Sequence, residues 1–345
     1  MTDRLRLAVF WMFVAGCLAG TGAYVWMRAT KPATVDAMAI IDLSSAAAAS
    51  TIDAVRAAPH LSFLSARDGQ FGHLSLTPLD ALAGPPVVSS QECERSYLSR
   101  EFGLCLELNR NSVEPRAFAR ILDRRLHTLA SFPLSGLPIR ARVSPDQRYA
   151  ASTVFVSGEN YASDFTTQTV LYDLATRQRI AELEQFRVVR DGRTIRDVDF
   201  NFWGVTFFND GNRFYATLGT GGKRLLVRGD IARRELQVVG DDVECPSLSP
   251  DERHIVFKRH RAQATGWQLW AMDLQSRETW PITDDTQDLD DQVEWLDNHH
   301  VIYSRVSGDG TLANRLALWV STIDRAAGFD QTLFLRAASS PSIVR

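Results

Sequence analysis

Five aspartates form the densest group of possible ligand side chains in the sequence: Asp284, Asp285, Asp288, Asp290 and Asp291 fall within eight positions. Carboxylate oxygens are the ligands that Ca²⁺ prefers, and one ion takes about six to eight of them. The same pattern is typical of a solvated loop whose aspartates cap the next strand through hydrogen bonds to its backbone. We favour the loop, keep Ca²⁺ as the alternative, and predict that Asp288, Asp290 and Asp291 contact a partner protein.

The usual catalytic motifs are absent from the sequence. It has neither the Gly-x-Ser-x-Gly turn of serine hydrolases nor the His-Glu-x-x-His helix of zinc proteases. Gly222 and Lys223 resemble a phosphate loop, but the upstream glycine is missing, so we interpret them as a turn between strands. His299 and His300 are neighbours, and neighbouring side chains of a strand point to opposite faces, which disfavours a shared metal ion. We therefore predict no catalytic residue, no metal and no cofactor.

Two of the four cysteines, Cys93 and Cys105, flank a short segment that is predicted to be a hairpin. A turn near Ser99 brings them opposite each other, at a distance that suits a disulfide. Buried reduced cysteines are the alternative. Cys245 stands alone, and Cys17 lies in the apolar N-terminal segment.

Short hairpins recur along the chain. Each has a strand, a polar turn and a second strand rich in β-branched or aromatic residues, which is typical of antiparallel pairs. The turn residues Asp146, Asp210, Asp251 and Asp297 are separated by 64, 41 and 46 positions, obtained by subtracting their numbers. A period of about 40 to 50 residues indicates a β-propeller with four strands in each blade.

Two inserts, residues 157–164 and 184–196, lengthen the first of these intervals. Both exceed what a hairpin turn needs, and loops on a rigid scaffold are where binding function is usually found. We predict that the first insert contacts a partner through Glu159, Asn160 and Tyr161.

Residues 59–345 contain enough strands for six blades. Four blades are complete in the C-terminal part, residues 94–131 form a fifth, and residues 61–89 supply only three strands of the sixth. Residues 340–344 (SPSIV) resemble residues 245–249 (CPSLS), which form an inner strand. We predict an all-β, six-bladed β-propeller in which the C-terminal strand completes the first blade, because an open ring exposes a sheet edge.

Tryptophans mark the predicted strands of the last two blades. Trp267, Trp270, Trp280, Trp295 and Trp319 fall at core-facing positions, and we expect them to pack between blades.

The repeat resembles that of TolB-type propellers. Residues 267–273 (WQLWAMD), 282–285 (ITDD) and 293–297 (VEWLD) follow the order of that repeat, and Ser-Pro-Asp occurs at 144–146 and 249–251. The resemblance implies a propeller fold and export from the cytoplasm. TolB itself has an α/β domain before its propeller, and the segment available here is too short to build one.

The N-terminal part is predicted to be a membrane anchor. After a short head, residues 1–6, residues 7–27 carry no charge. As a helix they span about 30 Å, the thickness of the bilayer core. A cleaved signal sequence is one alternative, and a lipoprotein with lipidated Cys17 is another. Residues 28–58, rich in Ala and Ser, are predicted to be a spacer.

The net charge of −3, with acidic and basic residues interleaved, gives no sign of nucleic-acid binding. We predict a single-pass protein of the cell membrane whose propeller lies in the periplasm or outside the cell. It binds another exported or membrane protein as a non-catalytic scaffold. The alternatives are an enzyme of the hydrolase or lyase type, with its site at the channel mouth, and a ligand-sensing propeller.

Overall fold

The computed structural model describes residues 4, 11–22, 40–110, 116–158, 165–260, 266–284, 289, 292–306 and 315–345. The chain divides into two units, Met1–Ala39 and Ile40–Arg345. In the first unit, residues 11–22 are helical. Within the described part of the chain, no helix has the length and apolarity needed to cross a membrane. The anchor predicted over residues 7–27 lies partly outside the described residues.

The second unit is a ring of six β-sheets, which confirms the predicted six-bladed propeller. Blade 1 contains β1 (Ile40–Ile41), β2 (His60–Ser65), β3 (His73–Pro78), β4 (Val87–Glu92) and the last strand, β27 (Ala338–Val344). Blade 2 contains β5 (Arg95–Leu98), β6 (Gly103–Asn109), β7 (Arg116–Leu122) and β8 (Thr128–Leu134). Blade 3 contains β9 (Leu137–Val143), β10 (Tyr149–Ser157), β11 (Thr166–Asp173) and β12 (Gln178–Glu182).

Blade 4 contains β13 (Arg187–Arg190), β14 (Arg193–Ile195), β15 (Asn201–Phe207), β16 (Arg213–Thr220), β17 (Lys223–Asp230) and β18 (Glu235–Asp241). Blade 5 contains β19 (Glu244–Leu248), β20 (His254–His260), β21 (Trp267–Asp273) and β22 (Thr279–Pro281). Blade 6 contains β23 (Glu294–Trp295), β24 (His300–Val306), β25 (Leu316–Thr322) and β26 (Gln331–Arg336). Helix α1 (Ala46–Val55) and the 3₁₀ turns Leu183–Gln185 and Arg325–Ala327 are the other helical elements of this unit's described residues.

Strand β27 closes the ring as predicted. It pairs antiparallel with β2, so that Val344 is opposite His60, and it becomes the innermost strand of blade 1. The hydroxyls of Ser62 and Ser342 share a hydrogen bond of 2.6 Å in this pair. Strands β5, β9, β15, β19 and β23 hold the innermost position in the other blades.

The inner strands define two faces of the ring. Residues at the ends of all six inner strands surround one cavity, so the strands run in the same direction. We call this end the turn face, because the hairpin turns to the second strands lie there. The opposite end, where the chain enters each blade from the preceding one, is the connection face.

The predicted packing of tryptophans between blades is present. Trp295 is buried at 3% exposure in a core that joins blades 5 and 6, and Trp267, Trp280 and Trp319 pack against that core. Trp270 packs against the neighbouring core, which includes side chains of blades 4 and 5.

Residues 40–58, the second part of the predicted spacer, form a strand of blade 1 and a helix that packs against the propeller. Strand β1 pairs in parallel with β4, and Ser45 caps α1 by accepting a hydrogen bond of 3.1 Å from the N–H of Ala48. Ala48 and Ile52 are buried, and Ile52 joins the core of blades 1 and 2. The spacer prediction was therefore wrong from Ile40 onwards. Two buried positions in an Ala-rich helix are too few to show as an apolar stripe in the sequence.

The insert at residues 184–196 is part of a sheet rather than a free loop. Strands β13 and β14 form a hairpin, and β13 pairs in parallel with β18, which gives blade 4 six strands. The carboxylate of Glu184 accepts hydrogen bonds of 3.0 and 3.1 Å from the N–H of Thr169. Burial raises the pKa of Glu184 to about 8. These contacts hold the insert against blades 3 and 4.

A disulfide joins Cys93 and Cys105, whose Cα atoms are 5.5 Å apart. The predicted register was wrong, because Ser96 rather than Cys93 lies opposite Cys105. The N–H of Cys93 donates to the carbonyl of Gly72 at 2.9 Å, so Cys93 still belongs to blade 1. The bond therefore links blade 1 to blade 2, and not the two strands of one hairpin.

Deletion of residues 340–345 is expected to lower the melting temperature by about 10 °C or more, or to cause aggregation, because most of β27 is lost and the edge of β2 is exposed. Thermal unfolding followed by circular dichroism measures this. Deletion of Arg345 alone leaves every pair between β27 and β2 in place and removes only surface hydrogen bonds to Arg100 and Leu296, so as the control it should cost far less. If the long deletion melts at the same temperature as the wild type, the pairing of β27 with β2 does not hold the ring closed.

Replacing Cys93 and Cys105 together with alanine should lower the free energy of unfolding by roughly 3 kcal/mol, because the bond closes a loop of about 13 residues in the unfolded chain. Chemical denaturation with and without reductant is the measurement. The wild type should lose stability on reduction, and the double variant should not respond. If the reductant does not change the free energy of unfolding of the wild type, the two thiols are free.

Candidate functional site

Two opposite charges meet inside the central channel. Arg142 projects from β9 of blade 3, and Glu294 projects from β23 of blade 6. The Nη1 atom of Arg142 is 2.6 Å from Oε2 of Glu294, and the two side chains are 8% and 6% exposed. Because blades 3 and 6 are opposite each other in a ring of six, this pair spans the channel.

Three other groups complete the surroundings of the pair. The hydroxyl of Tyr97 and the N–H of Ile343 donate to Oε1 of Glu294 at 3.2 and 3.3 Å. The Nη2 of Arg142 donates to the hydroxyl of Ser247 at 2.6 Å, and its guanidinium carbon is 4.8 Å from the centre of the Tyr97 ring. These residues come from blades 1, 2, 3, 5 and 6, so one ion pair connects five blades.

Gln292 connects the remaining blade to this centre. Its side-chain amide donates to the carbonyl of Val205 in blade 4 at 3.0 Å and to that of Pro246 in blade 5 at 2.8 Å. The cavity beside it is only about 20 Å³, which is close to the space that one water molecule needs. The described side chains around Gln292 therefore leave little free space on that side of the channel.

Burial governs the acid–base behaviour of the pair. It raises the pKa of Glu294, and the charge of Arg142 and the hydrogen bonds from Ile343 and Tyr97 act in the opposite direction. Burial also raises the pKa of Tyr97, so its hydroxyl keeps its proton and remains a donor. The groups are engaged with one another, which suits a structural role better than proton transfer to a substrate.

A blind funnel opens from this centre toward the turn face. Its volume is about 420 Å³, and residues from all six blades line it. Arg142 and Glu294 form its floor, and hairpin turns form its rim. Sites of about 300 to 1,000 Å³ are typical for small ligands or short segments.

The two Ser-Pro-Asp turns give the rim a fixed shape. The hydroxyl of Ser144 donates to Asp146 at 2.6 Å and accepts a hydrogen bond of 2.9 Å from the N–H of Tyr149. Ser249 and Asp251 repeat the arrangement in blade 5, with a hydroxyl-to-carboxylate distance of 2.6 Å. The proline in each turn is exposed on the rim.

The hydroxyl groups of the described funnel wall are engaged in its turns. No histidine or cysteine belongs to that wall. The hydroxyls of Ser144 and Ser249 donate to aspartates that cap turns, whereas a serine nucleophile needs a base positioned to take its proton. Over the described residues, no group of three metal-ligating side chains is found.

The six partner-binding residues predicted from the sequence lie outside the described residues: Glu159, Asn160, Tyr161, Asp288, Asp290 and Asp291. The structure shows what borders them. The hydroxyls of Ser157 and Thr166 are 2.8 Å apart on either side of the first segment. In the second, Leu289 is buried at 1% exposure. Cys17 is a free, exposed cysteine, and its lipidation stays a prediction.

Sequence reasoning missed Arg142, Glu294 and Tyr97. Each stands close to the end of a short inner strand whose neighbouring residues are mostly apolar or small. A charged residue within such a strand indicates a buried ion pair. The sequence does not show which residue is the partner, because Arg142 and Glu294 are 152 positions apart.

Comparisons with known proteins identify the fold. No family model and no curated protein matches the sequence. TolB from Acinetobacter baumannii superposes with a TM-score of 0.56 at 16% identity, covering 83% of this chain and 67% of that one. A putative TolB from Agrobacterium tumefaciens gives a TM-score of 0.47 at 11% identity, covering 82% of this chain and 91% of that one. The chain has a TolB-like six-bladed propeller fold.

Replacing Arg142 with methionine is expected to lower the free energy of unfolding by about 3 to 5 kcal/mol at pH 8, because Glu294 then keeps a buried charge without a partner. The loss should be smaller at pH 5. A carboxyl group whose folded-state pKa is raised contributes stability at low pH and loses it as the pH rises through that pKa. Urea denaturation at both pH values measures the difference.

The control for this experiment is Arg148→Met, which removes an exposed arginine near the rim and should change stability by no more than about 0.5 kcal/mol. An Arg142→Met loss that is the same at pH 5 and pH 8 would show that Glu294 carries no uncompensated charge.

Proposed function

We propose that this chain is a non-catalytic, membrane-attached propeller outside the cytoplasm, and that its funnel receives a segment of another exported or membrane protein. The observation that carries the proposal is the blind funnel itself. Six strand ends build its wall, and the Arg142–Glu294 pair closes its floor. A preformed wall favours binding, because little conformational entropy is lost when the partner enters.

Two features support a location outside the cytoplasm. Disulfides persist in oxidising compartments and are rare in the cytosol, and the Cys93–Cys105 bond links two blades. The uncharged residues 7–27 supply a segment long enough for a membrane anchor. The resemblance to TolB-type propellers of exported bacterial proteins agrees with both.

The acidic and insert residues predicted from the sequence remain a second proposed contact surface. The described strands on either side of them, β10 with β11 and β22 with β23, meet at the connection face. The described ends of these strands lie on the face opposite the funnel, so one binding assay with variants of each set of residues can separate the two proposals.

Replacing Pro145 and Pro250 together with arginine should reduce partner capture at least about tenfold, because two long cations then occupy the funnel rim. The assay is cross-linking of the tagged full-length chain in membranes, with captured protein quantified by mass spectrometry. The matched control is Ala232→Arg, which adds the same side chain to an exposed outer turn of the same face and should leave capture unchanged.

The triple variant Asp288→Asn, Asp290→Asn and Asp291→Asn tests the connection face in the same assay. Under the funnel proposal it captures the partner as the wild type does. If the triple variant loses the partner while the rim variant keeps it, the acidic residues make the contact and the funnel proposal fails.

A further inference from the structure

The outermost strand of blade 6, β26, has a partner strand on one side only. It pairs with β25 on its inner side, where Gln331 lies opposite Ser321. Among the described strands, none lies beyond it. An unpaired strand edge presents a row of backbone N–H and C=O groups with which another strand can pair.

The other five blades have outer edges that disfavour such pairing. In blades 1 and 4 the outermost strands, β1 and β14, are only two and three residues long. The edge of blade 2 contains Pro133, and the three-residue edge of blade 5 ends at Pro281. The edge of blade 3 has the ion pair between Arg179 and Glu182. Short strands, prolines and charges are the usual features that keep an edge from pairing with another chain.

Strand β26 has none of these features over most of its length. It is six residues long, has no proline, and its only charge is Arg336 at the end. Leu333 in its middle is 39% exposed, and Phe329, just before the strand, is 50% exposed. A bulge at Phe334 interrupts the register with β25, but blades 2 and 3 have such a bulge in addition to their proline or charges. We call this side of β26 the open edge.

The charges at the two ends of the open edge are complementary to each other. Asp330 directly precedes β26, and Arg336 is its last residue. Both side chains are exposed, and within the described part of the chain neither makes an ion pair. If the β26 strands of two copies run antiparallel about Leu333, the acidic end of each strand meets the basic end of the other. Such self-complementarity is what an interface on a two-fold axis requires.

We propose that two copies of this chain associate through their open edges, with the β26 strands antiparallel about a two-fold axis near Leu333. The four strands of blade 6 in each copy then form one continuous sheet. Backbone hydrogen bonds supply the affinity in this mode of association, and side chains set the register. Opposite charges across the pair favour the antiparallel direction, because parallel strands would place like charges together.

This association does not depend on the function proposed for the funnel. Strand β26 is the strand of blade 6 farthest from the channel, and none of its residues lines the funnel. Both funnels of the pair therefore stay open.

Photochemical cross-linking of the full-length chain in intact cells tests the pairing. Leu333 is replaced by the photoreactive residue p-benzoylphenylalanine, which bonds to a neighbouring chain on irradiation. We expect a product of twice the mass of the chain, with the cross-link within residues 329–336 of the second copy. Ser131 is the control position, because it is exposed on the outer strand of blade 2, close to Pro133, and should give no such product.

Reversal of the end charges tests the direction of the strands in the same assay. Arg336→Asp gives each strand two acidic ends, and Asp330→Arg gives each strand two basic ends. Either change should lower the yield of cross-linked dimer at least about fivefold, because like charges then meet at both ends of the pair. The variant with both changes should recover the yield to within about twofold. Arg177→Asp reverses an exposed charge of blade 3 and should not alter it.

The proposal is overturned if residue 333 cross-links to another protein instead of a second copy, or if no dimer forms. It also fails if the variant with both changes stays as low as the single variants, because the strands then do not pair in the antiparallel direction. Circular dichroism confirms that each variant is folded, as expected for changes at exposed positions.

Discussion

The geometry of the ring depends on the ion pair between Arg142 and Glu294. Taking two charges out of water costs several kcal/mol for each ion, and their attraction offsets this cost only when the remaining donors and acceptors are satisfied. Tyr97, Ser247 and the N–H of Ile343 satisfy them, and each comes from a different blade. Displacing any of these blades would therefore take a partner away from one of the two buried charges.

The interface between blades 1 and 2, which we call the seam, contains hydrogen bonds and a disulfide in addition to apolar packing. The hydroxyls of Ser340 and Ser342 in β27 accept hydrogen bonds of 3.1 and 3.0 Å from the backbone of β5. The disulfide crosses the same seam. Beside it, the guanidinium of Arg56, just after α1, donates to the carbonyl of Ser99 in blade 2 at 2.6 Å. This seam adjoins the blade in which the two ends of the propeller are joined.

The blade pattern could be predicted from the sequence, because each hairpin is a local feature with a turn aspartate and β-rich flanks. The closing strand was predictable too, since residues 340–344 resemble another inner strand. Helix α1 could not be, because only Ala48 and Ile52 among its residues are buried. The floor of the funnel is formed by partners distant in sequence, and its pairing depends on how the blades are arranged.

The pairing of β27 with β2 has a consequence for the time course of folding. Ser62 and Ser342, which meet in this pair, are 280 positions apart. At a synthesis rate of about 5 to 20 residues per second, β2 is complete roughly 15 to 60 seconds before its partner exists. Blade 1 is thus the first to be made and the last to be finished, and its inner edge stays open to other strands throughout. A chaperone or rapid export during that interval would protect the edge of β2 until β27 covers it.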